Sequence, residues 1–314
     1  MPNFQSLPKI SWRKTIFLGF TSLLAFYIIF KTTVNINSIL NDISHINLFY
    51  FWLAFATVLP SILLNTSRWF FILRSAGLSV SFKKIFMVAT SSTALFVIPG
   101  RLGDLARSYP LRHEIPIEKT IATIVFEKIV DICVLLGYAG FGLIYYKYYL
   151  GSIIALGVAI FTIPIFLFLS RLRIRWIDRL KIGQKIYSAL EILDNIKRGK
   201  INLAFAILCS VINIGLSLLA FYWLMLAVHT QVPLMAVLAF MPLCIFIGLI
   251  PLTLAGMGTR DAAIIHFFKL YALPSQSLSA GLLFAFQGYW VVALICLPFF
   301  IFYFRKDHRT TPHE

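Results

Sequence analysis

Glu127 and Asp131 stand four residues apart in the stretch FEKIVDICVLL (126–136), with Lys128 beside the first and mostly apolar residues around them. On a helix this spacing puts both carboxylates on one face, and Thr123 and Thr120 continue the stripe. A charge near the centre of a bilayer costs roughly 3 kcal/mol or more, so the pair must face protein and meet cations. Two other segments carry cations of the right kind. IPGRLGDLARSYPLR (98–112) sets Arg101, Asp104 and Arg107 behind breaks at Pro99, Gly100 and Gly103. IPLTLAGMGTRDAAIIHF (250–267) sets Arg260 and Asp261 behind Gly256 and Gly258. Arg101 and Arg107 are the expected partners of Glu127 and Asp131.

The chemistry these residues suit is anion binding. A helix that restarts after a Pro/Gly break presents unpaired N–H groups and a partial positive charge to a phosphate or carboxylate. Arginine adds a planar fork that matches phosphate, and glycine lets the backbone come close to the bound group. Irregular backbone at membrane depth is tolerated only where it faces protein or a water-filled cavity. Discontinuous helices at matching places in two halves point to a transporter's substrate site. The same residues also fit plainer roles: Asp104 and Asp261 as helix caps, Arg101 and Arg260 as snorkelling cations, Glu127 and Asp131 as a structural ion-pair cluster.

The elements that must position them are membrane helices. Of 314 residues 60% are hydrophobic and 13% charged, with a mean hydropathy of +0.86. The long apolar runs exclude a soluble domain and lack the short alternation of a β-barrel, so the fold class is an all-α polytopic integral membrane protein. The net charge of +16 lies between apolar runs and at both ends, as the positive-inside rule requires, and gives no reason to expect nucleic acid. Cys133, Cys209, Cys244 and Cys296 stand singly, HExxH and GxxxxGK[ST] are absent, and no metal or cofactor is expected.

Spans are expected at 16–30, 48–65, 117–146, 150–169, 201–228, 232–252 and 278–304, with Arg68, Arg74, Lys83 and Lys84 marking a return to the cytoplasm. Residues 85–98 give a helix of roughly 21 Å against a hydrocarbon core of about 30 Å, which suggests a re-entrant pair. The loop 171–200 holds nine basic and three acidic residues, the strongest cytoplasmic marker, and Trp176, Leu180, Tyr187, Leu190 and Leu193 fit an interfacial helix. Seven long runs would leave the basic ends on opposite sides. An eighth, short or broken crossing at 261–273 restores cytoplasmic termini, with six spans and more re-entrant pieces as the alternative. The whole chain, 1–314, reads as one transmembrane domain with a cytoplasmic tail at 305–314 and possible two-fold relatedness of its halves.

Taken together, the three motifs resemble the flippase-like membrane domain of lysylphosphatidylglycerol synthases, over about residues 10–305. The matching positions are Pro99, Gly100, Gly103, Asp104 and Arg107, then Glu127, Lys128 and Asp131, then Gly256, Gly258 and Asp261. Asp104 and Asp261 stand where the family pattern has Glu, Lys128 where it has Arg, and the third motif lacks the adjacent Pro-Gly. The synthases join this part to a soluble aminoacyl-transferring domain. The chain ends soon after its last span, so such a domain is not expected here.

The resemblance implies a lipid flippase or transporter of the cytoplasmic membrane that binds the polar head group of an anionic phospholipid or lipid-linked donor. Arg101, Asp104, Arg107, Glu127, Lys128, Asp131, Arg260 and Asp261 are the candidate substrate-binding residues. Two other readings remain: a lipid head-group transferase related to phosphatidylglycerol lysyltransferase, with Glu127 or Asp131 as general base, or a membrane subunit whose basic loop docks a soluble lipid-modifying enzyme.

Overall fold

The computed structural model describes residues 12–94, 106–112, 114–169, 192, 195, 196, 199–250, 253, 256 and 258–307. Pro99, Gly100, Arg101, Gly103 and Asp104 lie outside the described residues, as does most of the basic loop 171–200; of the second arm of the expected re-entrant pair, 106–112 are described. All regular elements among the described residues are helical: α1 (Trp12–Thr32), α2 (Ile36–Ser44), α3 (Leu48–Ala56), α4 (Val58–Ser75), α5 (Phe82–Thr93), α6 (Ile117–Tyr145), α7 (Tyr149–Leu169), α8 (Lys200–Ala227), α9 (Leu234–Leu249), α10 (Thr259–Phe267), α11 (Pro274–Ala285) and α12 (Val292–Asp307), the last two joined by a π turn (Phe286–Val291).

Four of these stretches are long and apolar enough to cross a membrane, namely Leu48–Ser75, Tyr149–Phe166, Lys200–Ala227 and Pro274–Phe302. A bent pair, Gly19–Lys31 with Ile36–Ser44, makes a fifth if taken as one span. The expected count of eight exceeds this. The difference has physical causes: α9 is apolar but only 16 residues long, α10 only nine, and α6 has the length but carries Glu127, Lys128 and Asp131. The expected helix at 117–146 is observed almost residue for residue, and residues 85–98 begin with a short helix, α5, as the apolar run suggested.

The second span runs further than its apolar composition indicates. It continues through α4 to Ser75, with a break at Thr57 whose hydroxyl donates to the Ala54 carbonyl at 2.7 Å. Arg68, expected in a cytoplasmic loop, is therefore inside a helix and only 3% exposed. The helix persists because Trp69, Ile72 and Leu73, which follow Arg68, are fully buried, an apolar anchoring that outweighs the polar stripe.

Helices α4, α6 and α8 pack on one another in the centre of the molecule, and α9 lies against α6. Small residues set the spacing. Gly142 of α6 meets the Ala239 backbone of α9 so closely that a Cβ there would stand 2.4 Å from the Ala239 Cα. Tyr138 of α6 reaches across Gly215 of α8, donating its hydroxyl to the Val211 carbonyl at 3.0 Å. Without a hydrophobic drive between helices in lipid, this backbone approach carries the packing. At one end of the bundle, Asn47 N–H donates to the Ala227 carbonyl (2.9 Å) and Gln276 to the Val228 carbonyl (3.1 Å), tying α3, α8 and α11 together.

Gly142→Leu is expected to separate α6 from α9 and cost about 1–3 kcal/mol, the range for overpacking a close contact. Gly137→Ala on the same helix, where an added Cβ meets nothing within 4 Å, serves as the control and leaves stability unchanged or higher. Thermal unfolding of the purified protein in detergent checks both.

Candidate functional site

The site is built from the face of α6 that the sequence marks. Glu127 is fully buried and Asp131 is 24% exposed at its side chain, and both point at α4. Between them sits Arg68: one terminal nitrogen donates to Glu127, the other to Asp131, and the first also donates to Asn65 one turn earlier on α4. Arg107 adds a second cation, donating to the other Glu127 oxygen at 3.1 Å. The guanidinium of Arg107 lies over the Trp69 ring, 4.9 Å from its centroid, a cation–π contact that holds it among apolar neighbours. Lys128 stands 3.9 Å from Glu127, and Ser210 of α8 donates to Asp131 at 3.3 Å. Among the described residues, three cations thus face two carboxylates.

The stripe above the acids is also occupied. Thr123 accepts from the Trp69 indole N–H at 3.4 Å and donates to the Thr120 carbonyl at 2.7 Å, and both threonines are fully buried. Of the two arginines expected to pair with Glu127 and Asp131, Arg107 does so, and Arg101 lies outside the described residues. The central cation, Arg68, was not foreseen. A signal was present: Ser61, Asn65 and Arg68 recur at helical spacing, a polar stripe in an apolar run to match that of α6.

A cavity of about 570 Å³ adjoins this cluster. Arg68, Asn65, Lys128 and Asp131 form its charged wall. Asn213 of α8, Gln287 and Gly288 of the π turn, and Thr90 and Thr93 of α5 also line it. The π turn has a structural task as well. Gln287 donates to the Ala54 carbonyl at 2.7 Å and to the Thr57 hydroxyl at 3.1 Å, so it satisfies the backbone freed at the break between α3 and α4.

The third motif forms a separate cluster. Gly256 and Gly258 adopt φ of +76° and +98°, a region open to glycine, and a Cβ on Gly256 would lie 2.5 Å from the Gly248 carbonyl oxygen. Asp261, in the first turn of α10, accepts from the Gly258 N–H at 3.0 Å and from Arg260 at 3.0 Å. Arg260 also donates to the Gly281 carbonyl at 3.4 Å and lies over the Phe284 ring at 5.7 Å. Phe284 lines the cavity, whereas Arg260 and Asp261 are absent from its lining, so this ion pair stands behind the wall. Asp261 acts here as the cap that the sequence also allowed.

The lysylphosphatidylglycerol synthase transmembrane-region model matches residues 16–296, and the chain belongs to that family. The chain is also similar to a UPF0104 membrane protein of Methanocaldococcus jannaschii, 26% identical across 87% of this chain and 89% of that protein.

Arg68→Met is expected to destabilise the fold by about 3–5 kcal/mol, the cost of leaving a buried carboxylate without its partner. The double variant Arg68→Met/Asp131→Leu leaves Glu127 paired with Arg107 and unfolds later than the single one. Gly256→Ala is expected to cost at least about 1–2 kcal/mol for its left-handed backbone alone. Denaturation midpoints in detergent order the variants.

Proposed function

We propose that the chain takes the phosphate-bearing head group of a membrane lipid into the cavity beside Arg68 and moves it across the bilayer, leaving the acyl chains in lipid. One observation carries this reading: a buried ion cluster whose Arg68, Lys128 and Asp131 stand on the wall of a cavity of about 570 Å³ between apolar helices. An ionisable group within a membrane span marks a pathway or site by default, because its burial is costly and it is rare there. Membership in a family described by a lipid synthase's membrane region agrees with it.

The charge balance supplies a mechanism. Among the described residues, Arg68, Arg107 and Lys128 ionised against Glu127 and Asp131 leave one net positive charge before a ligand arrives. A lipid monoanion brings the total to zero, and a neutral complex meets a far smaller desolvation penalty than a free phosphate in hydrocarbon. A phosphate oxygen can share Arg68 with Asp131, whose partial exposure leaves it the more replaceable of the two carboxylates. Lys128, 40% exposed, meets the same phosphate from the next position on α6. Arg101, Asp104, Arg260 and Asp261 complete the proposed set, the first two from the opening motif and the last two by fixing the wall behind Phe284. In this reading the protein lies in the cytoplasmic membrane with both basic termini on the cytoplasmic side.

Vesicles reconstituted with the full chain and fluorescently labelled phosphatidylglycerol test the proposal by the rate at which label becomes accessible to a membrane-impermeant quencher. Arg107→Gln and Asp131→Asn are each expected to slow translocation at least about tenfold, the effect of one lost charge-assisted hydrogen bond. Equal rates for both variants and the unaltered chain would overturn it.

A further inference from the structure

The cations of the site are not equivalent. Arg68 and Arg107, each only 3% exposed at the side chain, occupy Glu127 and Asp131 between them, so that among the described residues two arginines balance two carboxylates. Lys128 is the odd charge. Its Nζ stands 3.9 Å from Glu127, too far for a hydrogen bond, and its side chain is 40% exposed and lines the cavity. It differs in chemistry as well: a guanidinium does not release its proton inside a protein, whereas a lysine ammonium can, and does so where burial leaves its charge uncompensated.

The charge count then divides a transport cycle into two neutral states. With a lipid monoanion bound, Lys128 must be an ammonium for the total to reach zero. With the cavity empty, the same ammonium is one charge too many. Closing over it would bury an unpaired ion, and a group in that position neutralises instead. Its exposure on the cavity gives the proton a route to water before closure. Asp131 is the other exposed group that could take a proton on the lining, but protonating it would leave the loaded site positive. The charged groups around Lys128 are Glu127 and Asp131 on its own helix, Arg68 on α4 and, through Glu127, Arg107. Cys209 of α8 lies in the field of Arg68 but off the lining, and among the described residues α5, α8, α9 and the π turn put only amides, hydroxyls and apolar groups on it.

We infer that Lys128 carries one proton across with each lipid. While the phosphate is bound, Nζ is an ammonium. When the lipid leaves, one N–H bond breaks, the electron pair stays on Nζ and the proton passes to water on the same side. The neutral empty site returns and takes up a proton from water before the next phosphate binds. One lipid anion and one proton cross together, so no net charge moves. This coupling rests on the lipid reading above and adds what drives it: lipid accumulates on the side toward which protons run down their gradient.

The test uses phosphatidylcholine vesicles holding the full-length chain and a trace of labelled phosphatidylglycerol, a phosphodiester that stays a monoanion over the range tested. The plateau of label between the leaflets is read with the impermeant quencher; unlike the rate, it depends only on what is coupled. With the potential clamped by potassium and valinomycin, a gradient of one pH unit is expected to shift the ratio between leaflets up to about tenfold toward the alkaline side. With equal pH on both sides, an imposed potassium potential is expected to leave the ratio unchanged. Lys128→Arg keeps the cation but has no proton to give, and is expected to reverse both responses: no shift with pH, a shift with potential. If that variant moves no label, Lys128→Gln, which also has no proton to give, takes its place with the same expectation. A plateau of the unaltered chain that ignores the pH gradient or follows the potential, or one in either variant that still follows the pH gradient, overturns the proton coupling while the lipid reading stands. If the unaltered chain moves no label under any of these conditions, both fail.

Discussion

A guanidinium held among apolar helices must be neutralised, and Arg68 is neutralised twice, by Glu127 and by Asp131 one turn along α6. This requirement organises much of what surrounds it. It fixes the rotation of α4 against α6, because Arg68 must face Glu127 and Asp131. It draws Arg107 inward to the second Glu127 oxygen, over the Trp69 ring. It recruits Ser210 from α8 to Asp131, so the three central helices meet at one point. The ion cluster contributes specificity of arrangement more than stability, since the attraction between buried charges largely offsets the cost of taking them out of water.

The second constraint is that backbone polar groups within hydrocarbon need internal partners. The fold breaks its helices in two well-described places, and each break has a side chain assigned to it. At Thr57 the freed Ala54 carbonyl accepts from the Thr57 hydroxyl and from Gln287. At the start of α10 the Gly258 N–H is taken by Asp261, which Arg260 in turn neutralises. Both breaks flank the cavity wall, the first directly and the second through Phe284. Irregularity and cavity go together because the wide turns and missing contacts that open the space are the same ones that free polar groups.

Much of this was legible in the sequence. The acid stripe of α6, its length and the Arg107 partnership follow from spacing and from the cost of a lone charge in lipid. The all-helical membrane class follows from composition. Arg68 was hidden for a definite reason: a cation next to an aromatic residue at the end of an apolar run reads as a snorkelling boundary, and only the fully buried Trp69, Ile72 and Leu73 beyond it show that the helix goes on. Gln287 was hidden too, because nothing local announces a π turn in an apolar helix. The third motif looked like the counterpart of the first, yet its Arg and Asp satisfy each other, an outcome that depends on side-chain geometry rather than on spacing.

The central claim is that the Arg68 cluster receives a lipid phosphate. Solid-state NMR of the chain in bilayers, with arginine guanidinium ¹⁵N dephased by lipid ³¹P, measures this directly. The account predicts phosphorus within about 4 Å of a guanidinium nitrogen, as a charge-assisted hydrogen bond requires, in a signal that disappears on substitution of Arg68. A spectrum in which phosphorus approaches only arginines at the ends of the helices, unchanged by that substitution, contradicts it.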